Sequence, residues 1–339
     1  MNEADSREAI VGGYTIRCFR SEDADGVTRL VEGVYGDSYY PRDLYNPGEI
    51  VRLNEAEKLV SVVALDAGQV IGHYALERSD LGAVAEASDA IVAMGYRHHH
   101  LLEEMRPLLR EEAKRLGLTG LVGYPVTNHP FSQKAEEHFG SHPCGVALGL
   151  WPRSFHNMPE PLTQRMSFVI YFDYVSPATH VVHVAAPHSE MIAKIYQKYG
   201  IVHELLDGTP WVGKGEIVLE HEPEVQTGTI RVRRAGVDTA TAIREARKKL
   251  CDGCGAKAVT LELPLAQSET AEICRAVEQD GFFFSGLGPA FAADGDALLM
   301  QFLAEDLELS LIEIENPFAK ELLGYVAHEW ERVGRPRRP

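Results

Sequence analysis

The chain has 339 residues, which is longer than one typical domain. Its composition, 45% hydrophobic and 8% aromatic, is that of a folded globular protein. Its 33 basic and 50 acidic residues leave a formal net charge of −17, which argues against nucleic acid as a general partner because phosphate binding requires a basic face. No run reaches the roughly 18 apolar residues of a membrane span, and residues 1–9 lack the apolar centre of a signal peptide. We therefore expect a cytoplasmic protein with no membrane partner.

The five cysteines are odd in number and scattered, which suits a reducing compartment. Cys251 and Cys254 form a CxxC pair without a second pair downstream. Because a structural zinc site needs about four ligands at suitable spacing, we predict no metal site. We interpret the pair as the end of a helix followed by a glycine turn.

Hydrophobic periodicity and turn residues divide the first part of the chain into short elements. We predict, in order, a disordered lead over residues 1–12, a strand over 14–19, a helix capped by Ser21, a short helix opened by Pro47, and a hairpin of two strands over 59–65 and 69–77.

A strand, a basic turn and a long amphipathic helix are predicted over residues 83–117. Tyr96, Arg97 and three consecutive histidines form the turn. The helix is indicated by apolar residues at helical spacing: Leu101, Leu102, Met105, Leu108, Leu109, Ala113 and Leu116. A turn that leads from a strand into a helix directs several backbone N–H groups and the positive end of the helix dipole at one place, which suits a phosphate or pyrophosphate.

The turn sequence Val92-Ala-Met-Gly-Tyr-Arg-His-His-His-Leu-Leu102 resembles the acetyl-CoA loop of the GNAT acyltransferase superfamily, Val-x-Pro-x-Tyr-Arg-Gly-x-Gly-x-Gly/Ala. The match holds at Val92, Tyr96 and Arg97. The sequence departs from the pattern at four positions: Met94, His98, His100 and Leu102. Histidine enters the left-handed backbone conformation more often than most residues that have a side chain, so the loop geometry is compatible with these changes.

The elements that follow have the order of a GNAT domain. A strand over 118–127 ends at Asn128, a short helix closes at Gly140, and another strand covers 142–151. A proline-bearing connector leads into a second half of similar order, whose turn after residue 234 lacks the Arg-Gly-x-Gly loop. The second half has predicted strands over 166–175, 179–184, 215–222, 228–234, 258–263 and 296–302, and predicted helices over 187–200, 238–249, 269–281 and 317–331.

The resemblance implies an α/β fold (α+β mixed sheet) made of two tandem GNAT-like domains. Each would have a central, mostly antiparallel sheet with a splayed strand pair, flanked by helices. We place an N-terminal domain that binds acetyl-CoA over 12–153, a linker over 154–165, and a degenerate C-terminal copy over 166–333.

The resemblance also implies how acetyl-CoA is bound. GNAT enzymes hold the thioester in the cleft between the splayed strands, where a backbone N–H contacts its carbonyl. By position this donor would be Val92 or a neighbour, Ile91 or Ala93. The residues of the turn would bind the pyrophosphate: Arg97, His98, His99, His100, Leu101 and Leu102. The alternative is a solvated basic turn, and a metal site there is disfavoured because adjacent histidine side chains diverge.

Acetyl transfer to an amine requires a proton acceptor and a donor to the tetrahedral oxyanion. Many family members keep a general base on the splayed strand, which implies Glu86, with a surface glutamate as the alternative. His73 and Tyr74 on the neighbouring strand could also face the cleft, although ordinary packing would equally explain them.

A general acid is harder to assign. Family members often carry a tyrosine four residues before the helix-ending glycine, where this sequence has Glu136. An ionised carboxylate is a poor proton donor unless its pKa is raised. Ser132 or Tyr124 could substitute, or the thiolate could leave without a dedicated acid. We expect Asn128 and Ser132 to contact the cofactor.

These features together predict an acetyl-CoA-dependent N-acetyltransferase that acylates an unidentified small amine, as a monomer or homodimer. The acidic charge is compatible with a cationic amine substrate. The alternative is a non-catalytic acyl-CoA-binding sensor or regulatory protein on a GNAT scaffold, which the missing tyrosine and the altered glycines favour.

Overall fold

The computed structural model describes residues 8–78, 82–153, 162–176, 180–183, 188–202, 204–205 and 213–334. The chain forms two compact units. The first contains the described residues of 8–123 together with 174–176, and the second contains 124–153, 162–173 and the described residues from 180 onward. Each unit has a β-sheet flanked by helices, so the predicted α/β mixed-sheet fold class is confirmed. Within the described ranges, no helix combines the length and apolar character needed to cross a membrane.

The first unit is built on a sheet whose neighbouring strands follow chain order. In the described residues it contains the helices α1 (Ala24–Tyr35), α2 (Pro47–Glu55) and α3 (Leu101–Arg115), and the strands β1 (Glu8–Val11), β2 (Tyr14–Cys18), β3 (Leu59–Asp66), β4 (Gln69–Glu77), β5 (Val84–Val92) and β6 (Gly120–Gly123). The strand pairs are antiparallel except for β5 and β6, which are parallel because α3 connects them.

Three local predictions in this unit differ from the structure. Residues 8–11 form β1 instead of a disordered lead, because a turn of two positive-φ glycines at 12–13 folds them back onto β2; the rest of that lead lies outside the described residues. Ser21 is not the cap of the first helix but the first residue of a 3-10 turn that precedes it. The capping hydrogen bond is made by Asp23, whose carboxylate accepts from the Arg20 amide at 2.7 Å. The predicted strand over 118–127 is shorter than expected, since β6 ends at Gly123.

β5 separates from β6 after the first third of its length. The two strands pair over three residues, the last pair being Glu86 with Val122, while β5 continues to Val92. On its other edge β5 pairs with β4 and has a bulge opposite Tyr74, where Asp89 adopts φ 55°. The second half of β5 therefore has an edge that β6 does not cover, as expected of a splayed pair.

α3 covers the sheet with one apolar stripe. Leu101, Met105, Leu109 and Ala113, all on that stripe, are each at most 3% exposed. The spacing of these residues follows the 3.6-residue period, so the sequence alone indicates which face is buried. The buried Arg106 does not follow from the pattern; it donates a 2.8 Å hydrogen bond to the Tyr74 hydroxyl.

The second unit has a longer sheet. Its described elements are α4 (Phe131–His138), β7 (His142–Trp151), β8 (Met166–Tyr174), β9 (Val181–Val182), α5 (Ser189–Lys198), β10 (Glu204–Leu205), β11 (Glu216–Glu222), β12 (Thr227–Arg234), α6 (Thr239–Lys248), β13 (Ala258–Pro264), α7 (Thr270–Glu278), β14 (Phe283–Ala292), β15 (Gly295–Leu303) and α8 (Pro317–Val333). The strand order is β8-β7-β14-β15-β13-β12-β11; β12 and β13 are parallel, and β9 and β10 form a separate parallel pair.

One order of elements occurs twice along the chain. β5, α3 and the parallel β6 are followed by α4, β7 and β8, and β12, α6 and the parallel β13 are followed by α7, β14 and β15. In both copies the last two strands are antiparallel neighbours. By this order β8 has the place in the first copy that β15 has in the second, although the sequence predicts that residues 166–175 begin the second domain. Of the expected linker, residues 154–161 lie outside the described residues.

The strands β7 and β14 hold equivalent places in the two copies and meet at a pair of glycines, Gly145 and Gly286. A Cβ atom at Gly145 would lie 2.7 Å from the Ser285 carbonyl oxygen, and one at Gly286 would lie 2.5 Å from the Gly145 Cα. Glycine is therefore required where the two strands approach each other. Four residues further along each strand, Gly149 and Ala290 share a left-handed conformation, with φ of 55° and 56°. The sequence does not predict β14, because its glycines and proline indicate a turn.

Candidate active site

Tyr96 fixes the turn between β5 and α3 onto the sheet. Its hydroxyl donates a 2.7 Å hydrogen bond to Asp66 Oδ2 at the end of β3. Its ring lies edge-on to the ring of Tyr14 on β2, with 5.8 Å between centroids. Tyr14 in turn contacts His99 in the turn, with 5.5 Å between rings. These contacts give the turn a defined position next to the start of α3.

The turn presents backbone N–H groups for which the described residues supply no acceptor. Within the described part of the chain, the amides of His98, His100, Leu101 and Leu102 make no hydrogen bond. His100 is the N-cap of α3 and adopts a left-handed conformation with φ 55° and ψ 25°. Because unpaired amides and the positive end of the helix dipole meet here, the turn can bind an anion.

The side chains of the turn add exposed basic groups. Arg97 and the three histidines are exposed. His100 Nδ1 lies 2.7 Å from Glu103 Oε1, and this hydrogen bond raises the pKa of His100. Burial raises the pKa of Tyr35 at the end of α1, and the positive charge of Arg97 acts in the opposite direction. Arg97 therefore lies near the α1 end of the same unit.

The three residues at the end of β5 differ in what their amides do. The Ala93 amide donates a 2.9 Å hydrogen bond to the Ile71 carbonyl of β4, so it is not free to contact a ligand. Because successive amides of a strand point to opposite edges, the Val92 amide faces the edge that β6 leaves uncovered. Ile91 is 1% exposed and belongs to the core. Among these three, Val92 is thus the residue whose amide faces the open edge.

Glu86, the predicted base, lies at the last residue pair that β5 makes with β6. It is partly exposed and stands directly opposite Glu77 of β4. Like charges directly opposite each other in a sheet are unfavourable, so this pair does not contribute to the stability of the fold.

His73 and Tyr74 serve structure in the first unit. His73 is fully buried; its Nδ1 lies 3.2 Å from the Asp89 carbonyl oxygen and its Nε2 3.0 Å from Ser61 Oγ. A carbonyl only accepts, so Nδ1 donates and Nε2 accepts from Ser61. Burial lowers the pKa of His73 to about 4, so this imidazole is neutral at neutral pH. The Tyr74 hydroxyl accepts from Arg106.

Asn128 and Ser132 belong to the second unit, at the start of α4. Asn128 Oδ1, His129 Nδ1 and Ser132 Oγ are buried atoms without a hydrogen-bond partner in the described part of the chain. Buried polar atoms normally have a partner, so this loop has hydrogen-bonding capacity left for a ligand or water. Glu136 is engaged in the fold, since Ser141 Oγ donates to its carboxylate at 2.7 Å.

The equivalent turn of the second copy, before α6, has its amides satisfied. The amides of Ala235, Gly236 and Val237 donate to Gln267 Oε1, Thr239 Oγ1 and the Gly213 carbonyl at 2.7, 2.8 and 3.1 Å. This turn therefore offers no comparable anion site.

The strand pair of the second copy also stays closed for longer. β12 and β13 pair over five residues, ending with Arg231 opposite Glu262. Arg231 Nε donates to Glu262 Oε2 at 2.7 Å, and its Nη1 pairs with Glu220 at 2.9 Å. Paired side chains occupy the place where β5 and β6 have already separated in the first copy.

The cysteine pair and one further cluster lie in the second unit. Cys251 falls in a π-helical turn over Lys249–Gly253 at the end of α6, and Cys254 follows it, so the pair lies at a helix end as predicted. Elsewhere, the candidate ligand atoms of His188, Cys274 and Glu278 lie within 4.8 Å of one another. Glu278 accepts from His188 Nε2 at 3.1 Å and pairs with an arginine of α8, and burial raises the pKa of the Cys274 thiol. His188 and Glu278 are thus already hydrogen-bonded within the protein.

Comparison with known proteins gives fold-level matches only. No family model matches the sequence. No curated protein matches it either. Over about half of its length, however, the structure is similar to solved acetyltransferases of the GNAT family.

Three of these solved structures illustrate the similarity. A putative acetyltransferase from Salmonella typhimurium, yncA, solved with its cofactor acetyl-CoA, is 15% identical with a TM-score of 0.40; the match covers 49% of this chain and 96% of that one. The ribosomal-protein-S5-alanine acetyltransferase of Vibrio fischeri is 11% identical with a TM-score of 0.40, covering 50% and 97%. An N-acetyltransferase from Staphylococcus aureus Mu50 is 17% identical with a TM-score of 0.39, covering 48% and 99%.

Proposed function

We propose that this protein is an acetyl-CoA-dependent N-acetyltransferase that transfers an acetyl group to the amine of a small molecule. One observation carries the proposal: the unpaired amides at the start of α3 lie directly after a strand whose second half is uncovered. The amides suit the pyrophosphate of acetyl-CoA, and the uncovered edge of β5 suits its thioester.

Individual residues would then have distinct tasks. The amides from His98 to Leu102, with Arg97, would bind the pyrophosphate. The Val92 amide would donate to the thioester carbonyl and to the oxyanion that develops from it, which is the largest electrostatic contribution in acyl transfer. Asn128 and Ser132, whose buried oxygens are unpaired in the described structure, would contact the cofactor chain.

We further propose that the two copies are tandem GNAT-like domains and that the second binds no cofactor. Its turn amides are already bonded and its strand pair is occupied by the Arg231–Glu262 ion pair. The second copy would then act as a structural support for the first.

Calorimetric titration of acetyl-CoA into the full chain tests both statements. We expect one site per chain. Arg97→Ala should weaken binding about tenfold, because a charge-assisted contact to phosphate is lost. Arg234→Ala, an exposed arginine at the turn of the second copy, is the matched control and should leave the affinity unchanged.

Absence of binding would refute the proposed function. Two sites per chain, or equal effects of the two substitutions, would refute the role of the second copy. Binding without acetylation of any amine would favour the alternative, an acyl-CoA-binding sensor.

A further inference from the structure

β5 carries a second carboxylate, Asp89, that no sequence pattern marks as a site residue. Asp89 is 7% exposed and lies at the bulge of β5, with φ 55°. Aspartate is among the few residues with a side chain that enter this conformation readily. Burial of a carboxylate and a left-handed backbone both work against stability, and such features concentrate at functional sites.

The contacts of Asp89 leave one oxygen unused. Oδ1 accepts a 2.8 Å hydrogen bond from the hydroxyl of Tyr39, and the backbone carbonyl is held by His73. Oδ2 is buried and has no hydrogen-bond partner in the described structure. Since a carboxylate oxygen in the interior normally accepts at least one hydrogen bond, Oδ2 is a fixed acceptor with capacity left for a ligand or water.

Asp89 and Glu86 differ, as candidate proton acceptors, in their distance from Val92 along β5. An amine that attacks a carbonyl held by the Val92 amide must lie about 3 Å from the carbonyl carbon and about 3 Å from its proton acceptor. Asp89 precedes Val92 by three residues, or about 10 Å of strand, which these contacts can span. Glu86 precedes it by six residues, about 20 Å, which exceeds the reach of a glutamate side chain and one hydrogen bond.

The surroundings of Asp89 are anionic and aromatic. Tyr39 and Asp43 approach it from the segment after α1, and the Tyr35 and Tyr39 rings stack with 4.6 Å between centroids. Glu86 acts on the Tyr39 hydroxyl from the same strand. Carboxylates and the faces of tyrosine rings attract a cation, so this place suits an ammonium group.

We propose that Asp89 Oδ2 binds the ammonium group of the acceptor and takes a proton from it; this inference rests on the proposed acetyltransferase function. The acceptor is therefore a protonated aliphatic amine. One N–H proton passes to Asp89, the neutral amine forms the C–N bond with the acetyl carbonyl, and the C–S bond breaks. The second N–H proton ends on the leaving thiolate, and Asp89 returns its proton to solvent.

The ionisation of Asp89 fits this role. Burial raises its pKa to about 6, the charge of Asp43 acts in the same direction, and the hydrogen bond from Tyr39 acts against both. Two further titratable side chains face Asp89: neutral His73, which donates to its backbone carbonyl, and Tyr35, whose pKa is raised by burial, lowered by the charge of Arg97 and raised by that of Asp89. Asp89 is thus mostly ionised at about pH 7 but is a stronger proton acceptor than an exposed aspartate.

The sign of its effect on stability follows from the same shift. The folded pKa lies above the ordinary value, so ionisation of Asp89 destabilises the fold, and this effect grows as pH rises from about 4 to about 6. Asp89→Asn keeps the size and the left-handed tolerance of the residue and removes the charge. It should therefore raise the melting temperature at about pH 7 and have little effect at about pH 4.

Kinetics with acetyl-CoA and a panel of amines, beginning with 1,4-diaminobutane and benzylamine, tests the assignment. Asp89→Asn should lower kcat by roughly 100- to 10,000-fold, leave the calorimetric affinity for acetyl-CoA unchanged, and abolish the acidic limb near pH 6. Tyr39→Phe, which removes the hydrogen bond that lowers the pKa of Asp89, should move that limb to higher pH. Asp25→Asn, at an exposed aspartate of α1, is the control and should change none of these values.

If Asp89 had only a structural role, Asp89→Asn would not raise the melting temperature and lower kcat together, and Tyr39→Phe would not shift the pH profile. Failure of the wild type to bind acetyl-CoA would overturn the proposed function itself. Binding without acetylation of any amine would overturn it as well, in favour of an acyl-CoA-binding sensor. Acetylation by the wild type together with normal turnover of Asp89→Asn, or an acidic limb that disappears in Glu86→Gln instead, would overturn this inference alone.

Discussion

His100 shows how a turn can keep a left-handed backbone conformation although the residue is not glycine. The GNAT pattern has glycine at this position, and the chain keeps the left-handed conformation with a histidine, φ 55°. The exposed side chain is held by Glu103 and does not cover the unpaired amides of the turn. The backbone, rather than the side chain, thus carries the resemblance.

Substitutions at His100 test this view. His100→Gly should retain acetyl-CoA affinity within about threefold and slightly raise the melting temperature, because glycine enters the left-handed region without strain. His100→Val should weaken binding at least about tenfold, because a β-branched residue is an outlier in that region and forces the turn to rearrange. Titration calorimetry measures both.

The control for this series is Met94→Val, in the same turn at an ordinary φ and with a side chain that is 68% exposed. It should bind acetyl-CoA as the wild type does. Equal affinities of His100→Val and Met94→Val would contradict the importance of the left-handed conformation.

At the scale of elements, equivalent parts of the two copies differ in whether their hydrogen-bonding groups are used. The turn before α3 leaves amides free, and the turn before α6 bonds them within the protein. β5 leaves β6 after three residue pairs, while β12 stays with β13 for five. The same order of elements thus produces an open site once and a closed structure once.

The glycine contact between β7 and β14 yields a prediction about stability. Gly145→Ala and Gly286→Ala should each lower the free energy of unfolding by about 1–3 kcal/mol, because the added Cβ would lie within 2.7 Å of the facing strand's backbone. Gly324→Ala in α8, where no atom lies within 4 Å of the new Cβ, should raise it by about 1 kcal/mol. Denaturant unfolding followed by circular dichroism measures the three variants.

If Gly145→Ala were as stable as the wild type, the two strands would not approach each other as closely as the structure shows. The Gly324 variant checks that an added methyl group is tolerated where space allows.

At the scale of the whole molecule, the net charge of −17 creates a field that attracts cations. A cationic acceptor would be drawn towards the protein, and more strongly if it carries two charges. Salt screens this attraction, with a Debye length of about 8 Å at physiological ionic strength.

We therefore expect kcat/KM to fall more steeply with added KCl for 1,4-diaminobutane than for benzylamine, by roughly three- to tenfold between about 0.01 and 0.15 M. The ratio of the two amines isolates the acceptor, since both use the same acetyl-CoA. Steady-state kinetics at several salt concentrations measures it. An identical salt response of the two amines would contradict electrostatic steering.

Much of the fold follows from patterns within short stretches. The bounds of α3 and of the β3–β4 hairpin agree with prediction to within a few residues. β14 escapes prediction because it contains glycines and a proline, which normally mark turns, although Gly286 is required by a close strand contact. The sequence could not distinguish Val92 from Ala93 as the amide that contacts the thioester. In the structure the Val92 amide faces the open edge, whereas the Ala93 amide is bonded to β4.

The sequence by itself determined the strand–turn–helix at residues 83–117, the amphipathic face of α3 and the resemblance of its turn, because these depend on neighbouring residues. Only the tertiary structure decided that Asp89 bonds Tyr39, 50 residues away, through Oδ1 and that its Oδ2 has no partner among the described residues. It also decided that the second copy closes its turn, through Gln267, which lies 32 residues from Ala235. Local periodicity determines secondary structure, whereas the hydrogen-bond partners of buried polar groups come from distant parts of the chain and become known only when the chain has folded.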